Sequence, residues 1–457
     1  MSSNKLSKSM SGFSLWATAS GMLIGPWIMY TKWFWQLTGP SIVIAFTLSA
    51  LVILPIAFVF AELCAMLPAS GGTFLYSSVA FGPNVGFFAA WLSSLAYMSL
   101  LAGNSSMAIS LFQLIGIAPD SGTLRIVTSL LLILFYFILN KMKVDMAAKV
   151  TSFITIGLII CGIAINGGLL GMSGQWTIQN FKPFLTNGYS GLYTTVGILI
   201  TMYFGFEAIP QFIEEANIPV KKSASILIMG IGTAWLVYTI AMIGIAGVTP
   251  VTKMLEGKIA SATVILDVWQ GNIIGKIGFA TAVGITAFGT IASGNGFWLA
   301  LTRLYYSLGR SRALPETFSK VNKNQVPSNA NMLVFIVVTT LVLFSGSGWL
   351  ELLYLLMTLS ITIVFFLGCL SFIKLRISHP EWNRPFKLPG GLTFGIIGLI
   401  SSIYCIACAA KSISLRGWIA FVAYCILGVV FILYNNYALK KKGISQLIYN
   451  PDTRRIS

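Results

Sequence analysis

The residues with the most chemical potential lie where the chain is otherwise most apolar. A hydrophobic segment of bilayer-spanning length, roughly 20 residues, runs between about Gly191 and Phe212, and near its middle stand Gly205, Glu207 and Pro210. Glycine and proline weaken a helix, and hydrocarbon supplies no water to the backbone groups they free. A charged side chain at mid-membrane costs at least about 2.5–3.5 kcal/mol. These residue types belong together where a helix is interrupted and lines a polar cavity, and there Glu207 could bind and release a proton. The alternative is a structural carboxylate bonded to loosened backbone N–H groups. A second such stretch, Ser20-Gly21-Met22-Leu23-Ile24-Gly25-Pro26, lies in the first hydrophobic segment. An interrupted helix exposes N–H groups at one broken end and carbonyls at the other. The first suits a carboxylate and the second an ammonium, so together they make a dipolar socket matched to an α-amino acid. One interrupted segment opening each half of a chain is the pattern of a transporter binding site.

The elements that must position these residues follow from composition. Of the 457 residues, 56% are hydrophobic and 9% charged, and the mean hydropathy is +0.85. A soluble chain of this length could not cover so much apolar surface, so the reading is an all-α polytopic membrane protein. Twelve transmembrane helices are predicted, at about 13–36, 40–67, 83–113, 124–140, 149–170, 190–213, 224–248, 274–307, 330–346, 350–374, 392–410 and 416–438, in one transporter domain over 1–457. The third and eighth are long enough to tilt or to extend beyond the bilayer. The first is not expected to be a cleaved signal, because no small-residue cleavage site follows it.

An even number of spans puts both termini on one side. With the N-terminus inside, 21 of the 29 Lys and Arg fall on inner segments and 8 elsewhere, which predicts cytoplasmic termini. The net charge of +17 is therefore a topology signal, and no nucleic-acid partner is expected. The outer loop at about 249–273 is expected to hold a short surface helix. The six cysteines sit within or at the ends of apolar segments without metal-ligand spacing and read as packing residues. The lone His379, in the inner loop that runs to Gly391, reads as solvated.

Four blocks carry a family resemblance. Ala61-Glu62-Leu63-Cys64-Ala65-Met66-Leu67-Pro68-Ala69-Ser70-Gly71-Gly72, followed by Tyr76 and Ala80-Phe81-Gly82-Pro83, resembles the signature after span two of the amino acid–polyamine–organocation permeases. Phe204-Gly205-Phe206-Glu207, with Glu214-Glu215 and Asn217-Ile218-Pro219, is similar to that family's sixth span and its exit. Ala292-Ser293-Gly294-Asn295-Gly296, then Arg303 and Leu314-Pro315, is similar to the eighth, and Arg384-Pro385-Phe386-Lys387-Leu388-Pro389-Gly390-Gly391 to the loop before span eleven. The resemblance implies a five-plus-five inverted-repeat fold with discontinuous helices 1 and 6. Repeat one covers 13–170 (helices 1–5), repeat two 190–374 (helices 6–10), and helices 11–12 follow at 392–438. It also implies alternating access around a site between spans 1, 3, 6, 8 and 10.

Carried over residue by residue, the resemblance assigns Ser20, Gly21, Gly25 and Pro26 to the carboxylate end of a substrate. Thr201, Met202 and Phe204, beside Gly205, take the amino end. The reading as helix-packing glycines and side chains stands beside it. Span one departs from the family pattern, since Pro26 lacks an N–H and Trp27 brings bulk where glycine is usual. A smaller substrate, one held differently, or an amine without an α-carboxylate stays open. Tyr97 and Asn104 of span three and Phe297 of span eight are substrate contacts by resemblance. Helix–helix hydrogen bonding is the other reading for the first two, and Trp298 beside Phe297 reads as lipid-facing. Tyr354 in span ten is a gate candidate. Glu62, Glu214 and Glu215 read as partners of loop Lys and Arg or as helix caps.

For coupling, Glu207 is the proton candidate, and Thr290 with Ser293 could ligate Na+ alongside span-one carbonyls or bond their own helix. Some proton-coupled members carry a span-five lysine; here that place falls near Leu158. Exchange without an ion stays open too. The expected function is secondary active transport of amino acids across the cytoplasmic membrane, as symporter or exchanger. Alternatives are transport of amines or polyamines, or a sensor or channel on the same scaffold. An enzyme is not expected, because no nucleophile–base pair or metal cluster falls at membrane depth. No cofactor is expected, and the phosphate-loop motif of ATP-driven pumps is absent. The expected partners are an amino acid or amine, H+ or Na+, and lipid; oligomeric state is unknown from sequence.

Overall fold

In the computed structural model, residues 6–25, 34–114, 116, 122–142, 144–256, 263–344, 349–451 and 455–456 are described. They form helix after helix, joined by short loops, with one two-residue antiparallel hairpin near the C-terminus. Among the described residues, ten helices are long and apolar enough to cross a membrane. The chain is therefore a multi-pass membrane protein. A shorter apolar helix, Ser328–Leu343, lies on the ninth expected span, and the 12-residue helix Gly12–Leu23 on the first.

The helices in chain order are α1 (Gly12–Leu23), α2 (Ile42–Met66), α3 (Thr73–Phe81), α4 (Pro83–Leu114), α5 (Gly122–Leu139), α6 (Val144–Cys161) and α7 (Gly188–Leu199). They continue with α8 (Val220–Val248), α9 (Val251–Leu255), α10 (Thr263–Val268), α11 (Ile273–Arg310), α12 (Ser328–Leu343), α13 (Trp349–Ser378), α14 (Leu392–Ser412) and α15 (Leu415–Lys441). The two expected to overrun the bilayer, α4 and α11, are 32 and 38 residues long. The expected surface helix at 249–273 is a pair, α9 and α10.

α1 starts under a side-chain cap, with Ser14 N–H donating to Ser11 Oγ at 3.1 Å. It runs between α6, α8 and α11, and α4 packs along α11. Of this group, α1 and α4 are buried over most of their length. α5, α14 and α15 instead expose apolar side chains such as Leu131, Phe135, Ile400, Ile403, Ile426 and Leu433. An apolar surface of that extent suits lipid and not water.

The acidic residues at the ends of the spans pair with arginines, although Arg303 and Arg310 stand on α11 and not in a loop. Glu215 and Arg303, both fully buried, make a bidentate pair at 2.8 and 3.0 Å. Glu214 pairs with Arg310 at 2.7 Å and accepts from Ser70 N–H at 3.1 Å. Ser307 Oγ donates to the Ser70 carbonyl at 2.6 Å, and Gly71 fits beneath it: a Cβ there would lie 2.7 Å from Ser307 Oγ. The Pro68–Gly72 turn is thereby clamped between the exit of the sixth segment and α11. The amino-terminal strip joins the same clamp, with Met10 N–H donating to Glu215 O at 2.9 Å and Asn217 N–H to Met10 O at 2.8 Å.

Candidate functional site

The expected interruption of the sixth segment falls where its glycine and proline stand, and α1 ends within the stretch expected to break. α7 stops at Leu199 and tightens into a 3-10 turn over Ile200–Tyr203. Phe204 is extended (φ −70°, ψ 145°), Gly205 has φ +125°, and a second 3-10 stretch holds Phe206–Phe212 with Pro210 inside it. α1 stops at Leu23, and Ile24 has left helical geometry at ψ 2°. Pro26 and Trp27 lie outside the described residues, so the far side of that interruption is not seen.

The two breaks touch. A Cβ on Gly205 would sit 2.9 Å from Met22 Cβ and 3.2 Å from Leu23 Cδ1. Only a glycine, free of the penalty of positive φ, brings the backbones this close. Tyr238, from α8, ties them: its hydroxyl donates to Leu23 O and lies 3.3 Å from Met202 O. These carbonyls are among the orphans that a terminated helix leaves. The third, Met22 O, accepts from Ser293 Oγ at 3.2 Å. Ser293 Oγ in turn accepts from Asn104 Nδ2 at 3.4 Å, and a Cβ on Gly25 would lie 3.1 Å from it.

Glu207 is 2% exposed. Its Oε2 accepts from Gly205 N–H at 2.8 Å, while Oε1 is buried without a hydrogen-bond partner. The Tyr97 hydroxyl faces this carboxyl group. The Tyr97 ring stands 5.4 Å from that of Phe297, tilted by 47°. Thr201 Oγ1 donates to Ile198 O at 2.7 Å and makes a short bond with the Tyr354 hydroxyl. Phe204 packs edge-on to Phe365 at 5.4 Å.

Thus the structure gathers Gly25, Asn104, Ser293 and the Met22 backbone in one polar knot. Met202, Gly205 and Glu207 adjoin it through Met22, Leu23 and Tyr238. Two other named residues, Gly21 and Thr290, are turned elsewhere, and a third, Ser20, finds no partner. Gly21 lies against α6, where a Cβ would be 2.3 Å from Thr155 Oγ1. The Ser20 hydroxyl is buried without a partner. Thr290 Oγ1 bonds Thr286 O of its own helix at 2.9 Å. Leu158 fills the place considered for a lysine, packed into the notch at Gly289. Trp298 corrects the lipid-facing reading: it is fully buried and donates to Asn331 Oδ1 at 2.6 Å, because an indole N–H inside a bundle needs an acceptor.

Tyr238 and Thr155 were missed by sequence reasoning. A lone tyrosine in an apolar span reads as packing, and its only signal is a hydroxyl that must find a partner in hydrocarbon.

Comparison with known proteins agrees with this architecture. The sequence profile described as "Amino acid permease" matches residues 10–432. The chain is 24% identical over 472 residues to the glutamate/serine transporter AimA of Bacillus subtilis, covering 97% of this chain and 84% of that protein. It is 26% identical over 456 residues to the methylthioribose transporter of the same organism, covering 95% and 94%. Against the B. subtilis aspartate-proton symporter it is 26% identical over 410 residues, covering 87% and 78%.

Proposed function

The chain belongs to the amino acid permease family, a family of transporters and not of enzymes, and from that membership we propose that it is a secondary active transporter of amino acids in the cytoplasmic membrane. It works by alternating access, as a symporter or exchanger. Spans 1–5 (13–170) and 6–10 (190–374) form two inverted repeats, and spans 11–12 (392–438) are appended. The observation that carries the reading is the contact between the two breaks, where Gly205 seats against Met22 and Tyr238 gathers the carbonyls of both. Loosened backbone at the crossing of two spans is stable only where it lines a cavity or is buried in protein, and carbonyl groups gathered there favour an ammonium.

In this reading Ser20, Gly25 and Pro26 form the carboxylate end of the site, with Gly21 packing the same stretch against α6. Thr201, Met202, Phe204 and Gly205 form the amino end, and Tyr97, Asn104 and Phe297 flank the side chain. Glu207 is the proton site; Ser293, beside the Met22 carbonyl, is the alternative for Na+. The similarity to a methylthioribose transporter favours a second reading, in which the substrate has no α-carboxylate and the proline at position 26 marks the lost N–H donor.

Reconstituted in proteoliposomes, the protein should accumulate at least one labelled amino acid and show counterflow when preloaded. Binding without flux would leave a sensor, and conductance without counterflow a channel. The orientation has its own check. A reporter after Ser457 or near Asn322 should read cytoplasmic, and one near Gly257, which lies outside the described residues, should read external. The opposite pattern would overturn the proposed topology.

A further inference from the structure

At the end of α13 and the start of α14, six residues line an open cleft of about 330 Å³: Arg376, Pro380, Trp382, Asn383, Arg384 and Lys387. Its floor is a charge cluster built around one carboxylate. Glu62, 1% exposed, accepts from Arg376 Nη2 at 2.6 Å and Nε at 2.9 Å and from Leu388 N–H at 2.6 Å, and its Oε1 lies 3.1 Å from Arg384 Nε as an ion pair. Two guanidinium groups therefore share a single negative charge. The Nη1 and Nη2 groups of Arg384 are spent on the carbonyls of Leu375, His379, Pro380 and Trp382, which neutralise nothing.

Arg376 Nη1 makes no hydrogen bond among the described residues, and neither do the exposed side chains of Lys387 and Asn383. The remaining acid near the loop, Glu381, is engaged with His379 at 3.3 Å. His379 stacks on Trp382 with ring centroids 4.0 Å apart, so it is held and not merely solvated. The cleft thus carries an excess of positive charge, several free N–H donors and a tryptophan at its rim.

We propose that this cleft binds a phosphate group, with Lys387, Asn383 and Arg376 Nη1 as its donors. Its place at the junction of two membrane-crossing helices, with an interfacial tryptophan, fits the phosphodiester of an anionic lipid; a free phosphate has the same chemistry. In the orientation proposed above, the cleft faces the inner leaflet, where basic pockets between spans hold anionic headgroups. Through Arg376 and Leu388 the bound group would bear on Glu62 of α2, in the turn of helix that leads to the clamped Pro68–Gly72 segment.

The test follows thermal unfolding of the purified protein in neutral detergent during titration with phosphatidylglycerol, phosphatidylcholine or inorganic phosphate. Phosphatidylglycerol should raise the midpoint and phosphatidylcholine should not. Lys387→Glu, a change at an exposed position, should need about tenfold more phosphatidylglycerol for the same shift, and Asn383→Ala should shift the titration in the same direction by less. A midpoint raised equally by inorganic phosphate, and lost in Lys387→Glu, would assign the site to a soluble phosphorylated ligand. Equal responses to the two lipids, identical titrations of wild type and Lys387→Glu, or no response to either anion would overturn the proposal. None of these readouts requires the transported substrate, so the proposal can fail while the transport reading stands.

Discussion

Gly205→Leu should abolish uptake while leaving the protein inserted and folded. The position is left-handed at φ +125°, where a side chain costs about 1–3 kcal/mol in backbone strain alone. A Cβ would meet Met22 Cβ at 2.9 Å, and the contact is with the stem of a neighbouring side chain close to its backbone, which cannot swing away. The two breaks must then separate by more than an ångström. That separation would pull Leu23 O and Met202 O out of reach of the single Tyr238 hydroxyl that serves both. A misplacement of that size at a binding site lowers activity by ~100-fold or more. A strain of this size lies within the usual stability of a folded domain, so insertion and folding should survive it. Uptake measured in proteoliposomes, with insertion checked by size-exclusion elution, decides the matter. Normal uptake by a properly inserted Gly205→Leu would show that the sixth segment is not the site.

Glu207→Gln should flatten the pH dependence of uptake and spare substrate exchange at fixed pH. Glutamine preserves the shape and can still accept the Gly205 N–H that Glu207 Oε2 now takes at 2.8 Å. It cannot take up or release a proton. The second carboxylate oxygen is buried and unpartnered with the Tyr97 hydroxyl before it. A proton added at Oε1 would remove the charge and supply a donor toward Tyr97, so the protonated and ionised forms would hold span three differently against the sixth segment. That gives proton transfer a mechanical consequence at the proposed substrate site, where Tyr97 also packs on Phe297. A purely structural carboxylate predicts another outcome, a fall in activity by the same factor at every pH. An unchanged pH profile with activity intact would remove Glu207 from coupling and leave exchange, or Na+ bound near Ser293, as the mechanism.

The sequence by itself determined the membrane class, the approximate position of most spans and the place where the sixth breaks. Each of these follows from local chemistry. Length and hydropathy decide whether a helix can cross hydrocarbon, and glycine, proline and a carboxylate in mid-span are costly unless the helix opens there. The pairing of the end-of-span acids with basic residues was also foreseeable, because an unpaired buried charge is too expensive to keep. Which basic residue each acid takes was not: Glu62 reaches across to Arg376 and Arg384, more than 300 residues away. The same limit hid Tyr238, turned Gly21 toward α6 and spent the Thr290 hydroxyl on its own helix. A side chain's partner depends on how helices rotate about their axes and slide past one another, and that is set by packing summed over the whole bundle. Identical residue types can therefore line the cavity or stitch the scaffold, and only the tertiary structure assigns each to its place.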